Sequence, residues 1–228
     1  MSPKRVKVTK HMMKEDKLVT TTFKFTEYVQ KHSREFLIAG AGVVVVIFIV
    51  LFVISSNKSR NQKAAELLGK ARVELESGEF QIATTDLQTI WRSYKGTNAA
   101  QEALYLLGNA YYYSKDYDQA LRYFQEFVSK YPKVAPLLLS GAYSGIGDCH
   151  MQKKEYAQAA ESYLQAAGKI TDDFVIPNLL LSAAQSYSYA NQLDKAKELY
   201  ERIITKYPNS KVVTQARLEL AEISAQKG

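Results

Sequence analysis

Cysteine is nearly missing from this chain: Cys149 is the only one in 228 residues, so no disulfide can form within it. Also missing is any motif for nucleophilic catalysis, phosphate cradling or metal binding. The one place where ligand-type side chains gather is the contiguous Cys149, His150 and Met151. Neighbouring residues on a helix point about 100° apart, too far to chelate one ion. The expectation is a protein with no catalytic centre, no metal, no cofactor and no small-molecule substrate. Cationic excess is scarce outside the N-terminus. Of the formal charge of +7, residues 1–35 supply +5, with nine Lys and Arg against four acids. The 21 cations and 19 acids downstream are too balanced for a surface that neutralises nucleic-acid phosphates. Apolar residues make up 46% of the chain, which excludes a mostly disordered one.

One stretch lacks charge altogether. Residues 36–54 read FLIAGAGVVVVIFIVLFVI, without a charged or strongly polar side chain. At roughly 1.5 Å per residue, such a helix spans about 28 Å, close to the hydrocarbon core of a bilayer. The β-branched residues 43–46 would make a poor helix in water. Lipid forces one, because every backbone amide there needs an internal partner. A cleaved signal peptide fits less well: 35 residues precede the run, no cysteine follows for lipid attachment, and the run is longer than a signal core of about 7–15 residues. The reading is an uncleaved membrane anchor over residues 36–56, a basic tail over 1–35 and a domain over 57–228.

Local charge does not orient the anchor, with four Lys and Arg in residues 16–35 and five in 57–76. The whole short tail carries nine, and long domains cross membranes largely regardless of charge. The tail is therefore expected in the cytoplasm and the domain outside it. Leu18, Phe25, Val29 and Phe36 fall near helical spacing, with Lys17, Lys24 and Lys31 on other sides. The stretch from Leu18 either lies on the anionic inner leaflet or simply continues the membrane helix.

Beyond residue 60 the chain repeats itself. The clearest unit is QEALYLLGNAYYYSKDYDQALRYFQEFVSKYP, residues 101–132. The spacing of Leu104, Leu107, Gly108, Tyr111, Tyr117, Ala120, Phe124 and Pro132 resembles the tetratricopeptide repeat (TPR) closely, with Phe127 where a small residue is usual. The frame recurs at Ile146, Gly147, His150, Tyr156, Ala159, Tyr163 and Ala166, then at Leu180, Ala184, Tyr187, Leu193, Ala196, Tyr200 and Pro208. A more divergent unit precedes them at Ala71, Gly78, Phe80, Ala83, Leu87 and Ile90. The turn positions Phe80, Tyr117, Tyr156 and Leu193 stand 37, 39 and 37 residues apart, slightly more than the usual period of about 34.

The physics agrees with the resemblance. Gly108 and Gly147, with Ala184 in their place, let the two helices of a unit approach, and Ala120, Ala159 and Ala196 do so from the second helix. Gly78 and Asn191 suit the positive φ of an intra-unit turn, whereas Lys115 and Lys154 at the same position do not favour it. Cys149 takes the place of Ala110 and Ser186 and is expected in the core, as is Trp91 in the place of Val128 and Ile204. Residues 210–226 form an unpaired amphipathic helix whose Val213, Ala216 and Leu220 cover the last unit. The expected fold is all-α: a TPR α-solenoid of about four helix pairs with a C-terminal capping helix, preceded by one transmembrane helix.

The resemblance implies a protein-binding groove lined by the first helices. Carried over to this sequence, its positions are Tyr105, Asn109, Tyr112 and Tyr113, then Ser144, Asp148, Met151 and Gln152, then Leu181, Gln185, Ser188 and Tyr189. TPRs that clamp a C-terminal carboxylate place Lys or Arg there, so a clamp is not expected. Tyrosine, Met, Leu, Asn and Gln suit extended, partly apolar polypeptide. The layout of basic tail, anchor and TPR-like domain resembles the ancillary subunit family of the bacterial Sec translocon. That likeness implies the inner membrane, a periplasmic domain, and translocon, chaperone or envelope-complex proteins as partners. A structural scaffold for an envelope or secretion complex is the alternative.

Overall fold

The computed structural model describes residues 10–225, with side chains described from residue 19 onward. Lys4, Arg5 and Lys7 of the basic tail, and the side chain of Leu18, lie outside the described residues. All regular secondary structure among the described residues is helical. The chain divides into two compact units, Met1–Lys58 and Ser59–Gly228.

The first unit holds α1 (Lys10–Lys31) and the beginning of α2 (Ser33–Glu76). Only His32 separates them, and the helical ladder runs through the break: His32 N–H donates to Tyr28 at 3.1 Å and Phe36 N–H to His32 at 3.0 Å. Every side chain of residues 36–54 is exposed. Among the described residues, α2 is the one helix long and apolar enough to cross a bilayer.

The second unit takes the end of α2 and adds α3 (Phe80–Ser93), α4 (Asn98–Tyr113), α5 (Tyr117–Lys130), α6 (Pro136–Gln152), α7 (Tyr156–Ala167), α8 (Ile176–Tyr189), α9 (Leu193–Lys206) and α10 (Val213–Ala225). From α3 onward each helix packs on the next in chain order, and α4 also meets α6. This is the expected stack of helix pairs closed by a single helix. The second helices begin at Phe80, Tyr117, Tyr156 and Leu193, the turn positions read from the repeat.

Polar side chains help start these helices. Thr97 accepts from the Ala100 N–H at 3.0 Å and Asp116 from the Gln119 N–H at 3.1 Å, each satisfying a donor the helix cannot. The turns inside the pairs share one geometry. Glu79, Asp116, Glu155 and Gln192 donate their N–H to carbonyls five residues back at 2.8–2.9 Å, and the residue before each is left-handed: Gly78 at φ 79°, Lys115 at 63°, Lys154 at 61°, Asn191 at 56°. Lys115 and Lys154 thus adopt a conformation their side chains disfavour. The hydrogen bonds that close the helix end require it.

The core runs along the stack. Leu87, Ile90, Leu104, Leu107, Phe127, Leu180 and Ile203 are wholly buried, and each such side chain is worth about 1.5–3 kcal/mol in transfer from water. Cys149 is buried as expected. Trp91 is half-buried beneath Lys130, whose Nζ lies 4.3 Å from the indole centre, and its counterparts Val128 and Ile204 are half-buried too.

Small residues set the spacing of the pairs. A Cβ at Gly108 would come within 2.5 Å of the Phe124 ring, and a Cβ at Gly145 would do the same from the next pair. One phenyl ring thus fills the space between two bare helix backbones.

Candidate protein-binding face

The first helices α4, α6 and α8 present one side to solvent, and most residues expected to line a groove fall there in three groups. At the N-terminal end, Asn109 and Tyr113 of α4 join Arg72, Leu75, Glu76, Phe80 and Leu106 around a cleft of about 420 Å³. The Tyr113 ring stacks on Phe80 with centroids 5.6 Å apart, and Tyr113 remains 59% exposed. Arg72 is the cation of this cleft, and it is ion-paired with Glu102.

In the middle, Tyr112 meets Asp148 and Gln152 of the following pair. Asp148 is half-buried and accepts a 2.5 Å hydrogen bond from the Tyr163 hydroxyl. Burial raises its pKa above the ordinary aspartate value, opposed by the Tyr163 bond. Burial also raises the phenol pKa values of Tyr112 and Tyr163. Beneath this group the Cys149 thiol is pushed up to about 12 by burial, so it stays protonated and unreactive at neutral pH.

At the C-terminal end, Gln185 and Tyr189 line a second cleft of about 350 Å³ with Ser188, Leu193, Tyr200, Glu219, Glu222 and Ile223. Glu219 of α10 gathers three donors: the Tyr200 hydroxyl, Gln185 Nε2 at 2.8 Å and Gln215 Nε2 at 2.9 Å. Tyr189 packs against Tyr156 with centroids 5.4 Å apart and is 65% exposed.

Tyr105 stands apart from all three groups. Its ring lies 5.9 Å from Phe124 and 5.7 Å from Phe127, and a Cβ at Gly141 would sit 2.8 Å from its hydroxyl. It is half-buried packing between pairs. Conversely, Arg72, Leu75 and Phe80 of the first pair and Glu219 of the capping helix form walls that sequence reasoning missed. The spacing of Gln185 and Glu219, 34 residues, is the usual repeat period and was the available signal for the latter.

Among the described residues no cluster of three or more His, Cys, Asp or Glu could hold a metal ion. Stacked helical hairpins with a small-residue seam and an aromatic-lined first-helix face define a helical-repeat solenoid. Tetratricopeptide repeats are found in three of the pairs: family models of that description match residues 102–133, 140–168 and 179–210, the second, third and fourth pairs. Among solved structures, the chain is similar to nearly identical TPR-like repeats assigned to a kinesin light chain of Podosopora anserina. That match has 14% identity and a TM-score of 0.60 over 74% of this chain and 88% of that one. A TPR protein from Parabacteroides merdae matches more loosely, with 13% identity and a TM-score of 0.43 over 72% and 74%. TPR repeats generally mediate protein–protein interactions, and proteins built from them are typically non-enzymatic scaffolds.

Proposed function

We propose that this chain is a membrane-anchored module that binds partner or client polypeptide along the first-helix face of its repeats. In this reading residues 1–35 are a cytoplasmic tail, residues 36–56 the anchor and residues 57–228 an extracytoplasmic TPR domain. The layout supports an accessory role at the translocon or in the periplasmic chaperone network of a bacterial inner membrane. The observation that carries the binding assignment is the N-terminal cleft. Its apolar wall of half-buried Leu75, Phe80 and Leu106 lines the cleft beside Asn109 and the exposed Tyr113, a combination that takes an extended chain by its side chains and leaves polar atoms for its backbone.

Tyr113→Ala together with Tyr189→Ala tests it, because both rings are more than half exposed and their loss spares the core. Aromatic anchors commonly contribute about 1–3 kcal/mol each, so the pair should weaken partner capture from native membranes more than about tenfold. Circular dichroism should be unchanged, and salt should matter little because the cleft's cation is already paired. A folded double variant that recovers every partner would move binding off this face and favour a passive scaffold. Orientation is checked by a reporter fused after residue 228, which should behave as extracytoplasmic; cytoplasmic reporter activity would overturn it.

A further inference from the structure

The two edges of the solenoid differ in chemistry. On one edge each first helix turns into its second, and there Glu79, Asp116 and Glu155 balance Lys115, Lys153 and Lys154. On the other edge each second helix links to the next pair. The chain enters the solenoid on this side, since Arg60 Nη2 donates to the Lys95 carbonyl of the α3–α4 link at 2.8 Å. Each link here carries an exposed lysine: Lys95, Lys133, Lys169 and Lys211. The last turns of α3 and α9 add Arg92 and Lys206.

The acids of the link edge are Asp172 and Asp173, and the first has a structural use. Its Oδ1 accepts from the N–H groups of Phe174 at 2.8 Å and Val175 at 3.2 Å. The Phe174 carbonyl in turn accepts from Asn178 Nδ2 at 2.8 Å. Held through its backbone on both sides, Phe174 points a ring outward that is 88% exposed. Leu137, 68% exposed, stands 37 residues earlier, the same interval that separates Gly147 from Ala184. Consecutive pairs therefore put a bare apolar side chain at one repeat position, among lysines.

We infer that this link edge rests on an anionic bilayer surface, with Phe174 and Leu137 inserted at the headgroup level and the link lysines on lipid phosphates. Apolar tips ringed by flexible cations partition to that boundary, the tips into the acyl margin and the ammonium groups toward phosphate. The inference rests on the anchor reading above. Arg60 follows Ile54 by six residues, so whatever the conformation of that link, the edge holding Arg60 is tethered within about 22 Å of the end of the apolar run.

The test uses the full chain reconstituted in phosphatidylcholine vesicles with and without phosphatidylglycerol. An environment-sensitive fluorophore is placed at Thr171→Cys on the link edge or at Glu79→Cys on the turn edge. Both positions are exposed, and the buried Cys149 does not compete for label. Quenching by headgroup-level spin-labelled lipid is expected at residue 171 only, stronger with phosphatidylglycerol. It should weaken in high salt and be lost in the Leu137→Ser, Phe174→Ser double variant. Equal quenching at both edges, or none at residue 171 in a chain that resists carbonate extraction, overturns the docking and leaves the anchor standing. Extraction of the chain by carbonate overturns both. Protection of residue 171 from label only when membrane proteins are added, without lipid quenching, assigns the edge to a protein partner instead and overturns the proposal.

Discussion

In the middle of the solenoid the Phe124 ring lies between Gly108 and Gly145, where a Cβ on either glycine would approach it to 2.5 Å. At the C-terminal end Tyr200 holds the same repeat position. It is equally buried, yet its hydroxyl reaches Glu219 of the capping helix. Between them Tyr163 packs on Gly147 and sends its hydroxyl to Asp148. An interface with a neighbour on both sides can be filled by hydrocarbon alone. The last interface faces a lone helix and uses a carboxylate to hold it, where water can replace a missing donor.

The largest test of that contrast is to remove the ring from the first position and only the hydroxyl from the second. Phe124→Ala should cost about 3–5 kcal/mol, because neither glycine-lined backbone has a side chain with which to fill the cavity. Tyr200→Phe should cost only about 1 kcal/mol, since it removes one hydrogen bond and Glu219 keeps both glutamine donors. For a domain of this size that is roughly 2–4 °C in melting temperature per kcal/mol. Gly145→Ala should fall between them, at about 1–3 kcal/mol, by forcing the buried ring aside. Melting curves of the full chain in detergent measure all three. Equal losses for Phe124→Ala and Tyr200→Phe would mean the two interfaces are not held differently.

Asp148 sharpens the comparison through pH. Its folded-state pKa is raised by burial, so folding favours the protonated form. The sign follows: its contribution is most favourable below the ordinary aspartate value and is lost as pH rises through the raised one. Asp148→Asn keeps an acceptor for the Tyr163 hydroxyl without the buried charge. The variant should melt higher than the parent at neutral pH and no higher at a pH below about 3.9. A variant less stable at neutral pH would show that the Tyr163 bond to a charged carboxylate outweighs desolvation.

Much of this fold was legible because the repeat writes its packing into spacing. Gly108, Ala120, Phe124 and their counterparts have to recur in register for the helices to stack, so the pairs and the starts of the second helices were readable. The face was legible only in part. Asn109, Tyr113, Asp148, Gln185 and Tyr189 lie where the repeat frame put them. Tyr105 shares their helix face by spacing but turns into the seam, because Gly141 of the next pair leaves room for its hydroxyl. That depends on a residue 36 positions away, which no local pattern reveals. The walls supplied by Phe80 and Glu219 come from the divergent first pair and the capping helix, where the frame is weakest.

The smallest effect concerns the turns, and it separates the two regions again. Lys115 and Lys154 sit at positive φ in the middle pairs, while Gly78 and Asn191, which suit that conformation, close the first and last. A side-chain-bearing residue in the left-handed region costs about 1–2 kcal/mol, and glycine gives back roughly 0.5–1 kcal/mol of that through its greater unfolded-state freedom. Lys115→Gly and Lys154→Gly should therefore each stabilise the chain by about 0.5–1 kcal/mol, and together by nearly their sum, because the hydrogen bonds that close each turn lie within it. Asn191→Gly should change almost nothing, since asparagine already tolerates the conformation. Thermal melts of the three single variants and the lysine double variant suffice. If Lys154→Gly melts at or below the parent while Lys115→Gly gains, the ion pairs of the neighbouring Lys153 with Asp118 and Glu155 depend on a stiff turn, and rigidity outweighs strain in the third pair. If neither gains, the hydrogen bonds that close these helix ends hold the lysines without measurable strain, and the middle turns are no weaker than those at the ends.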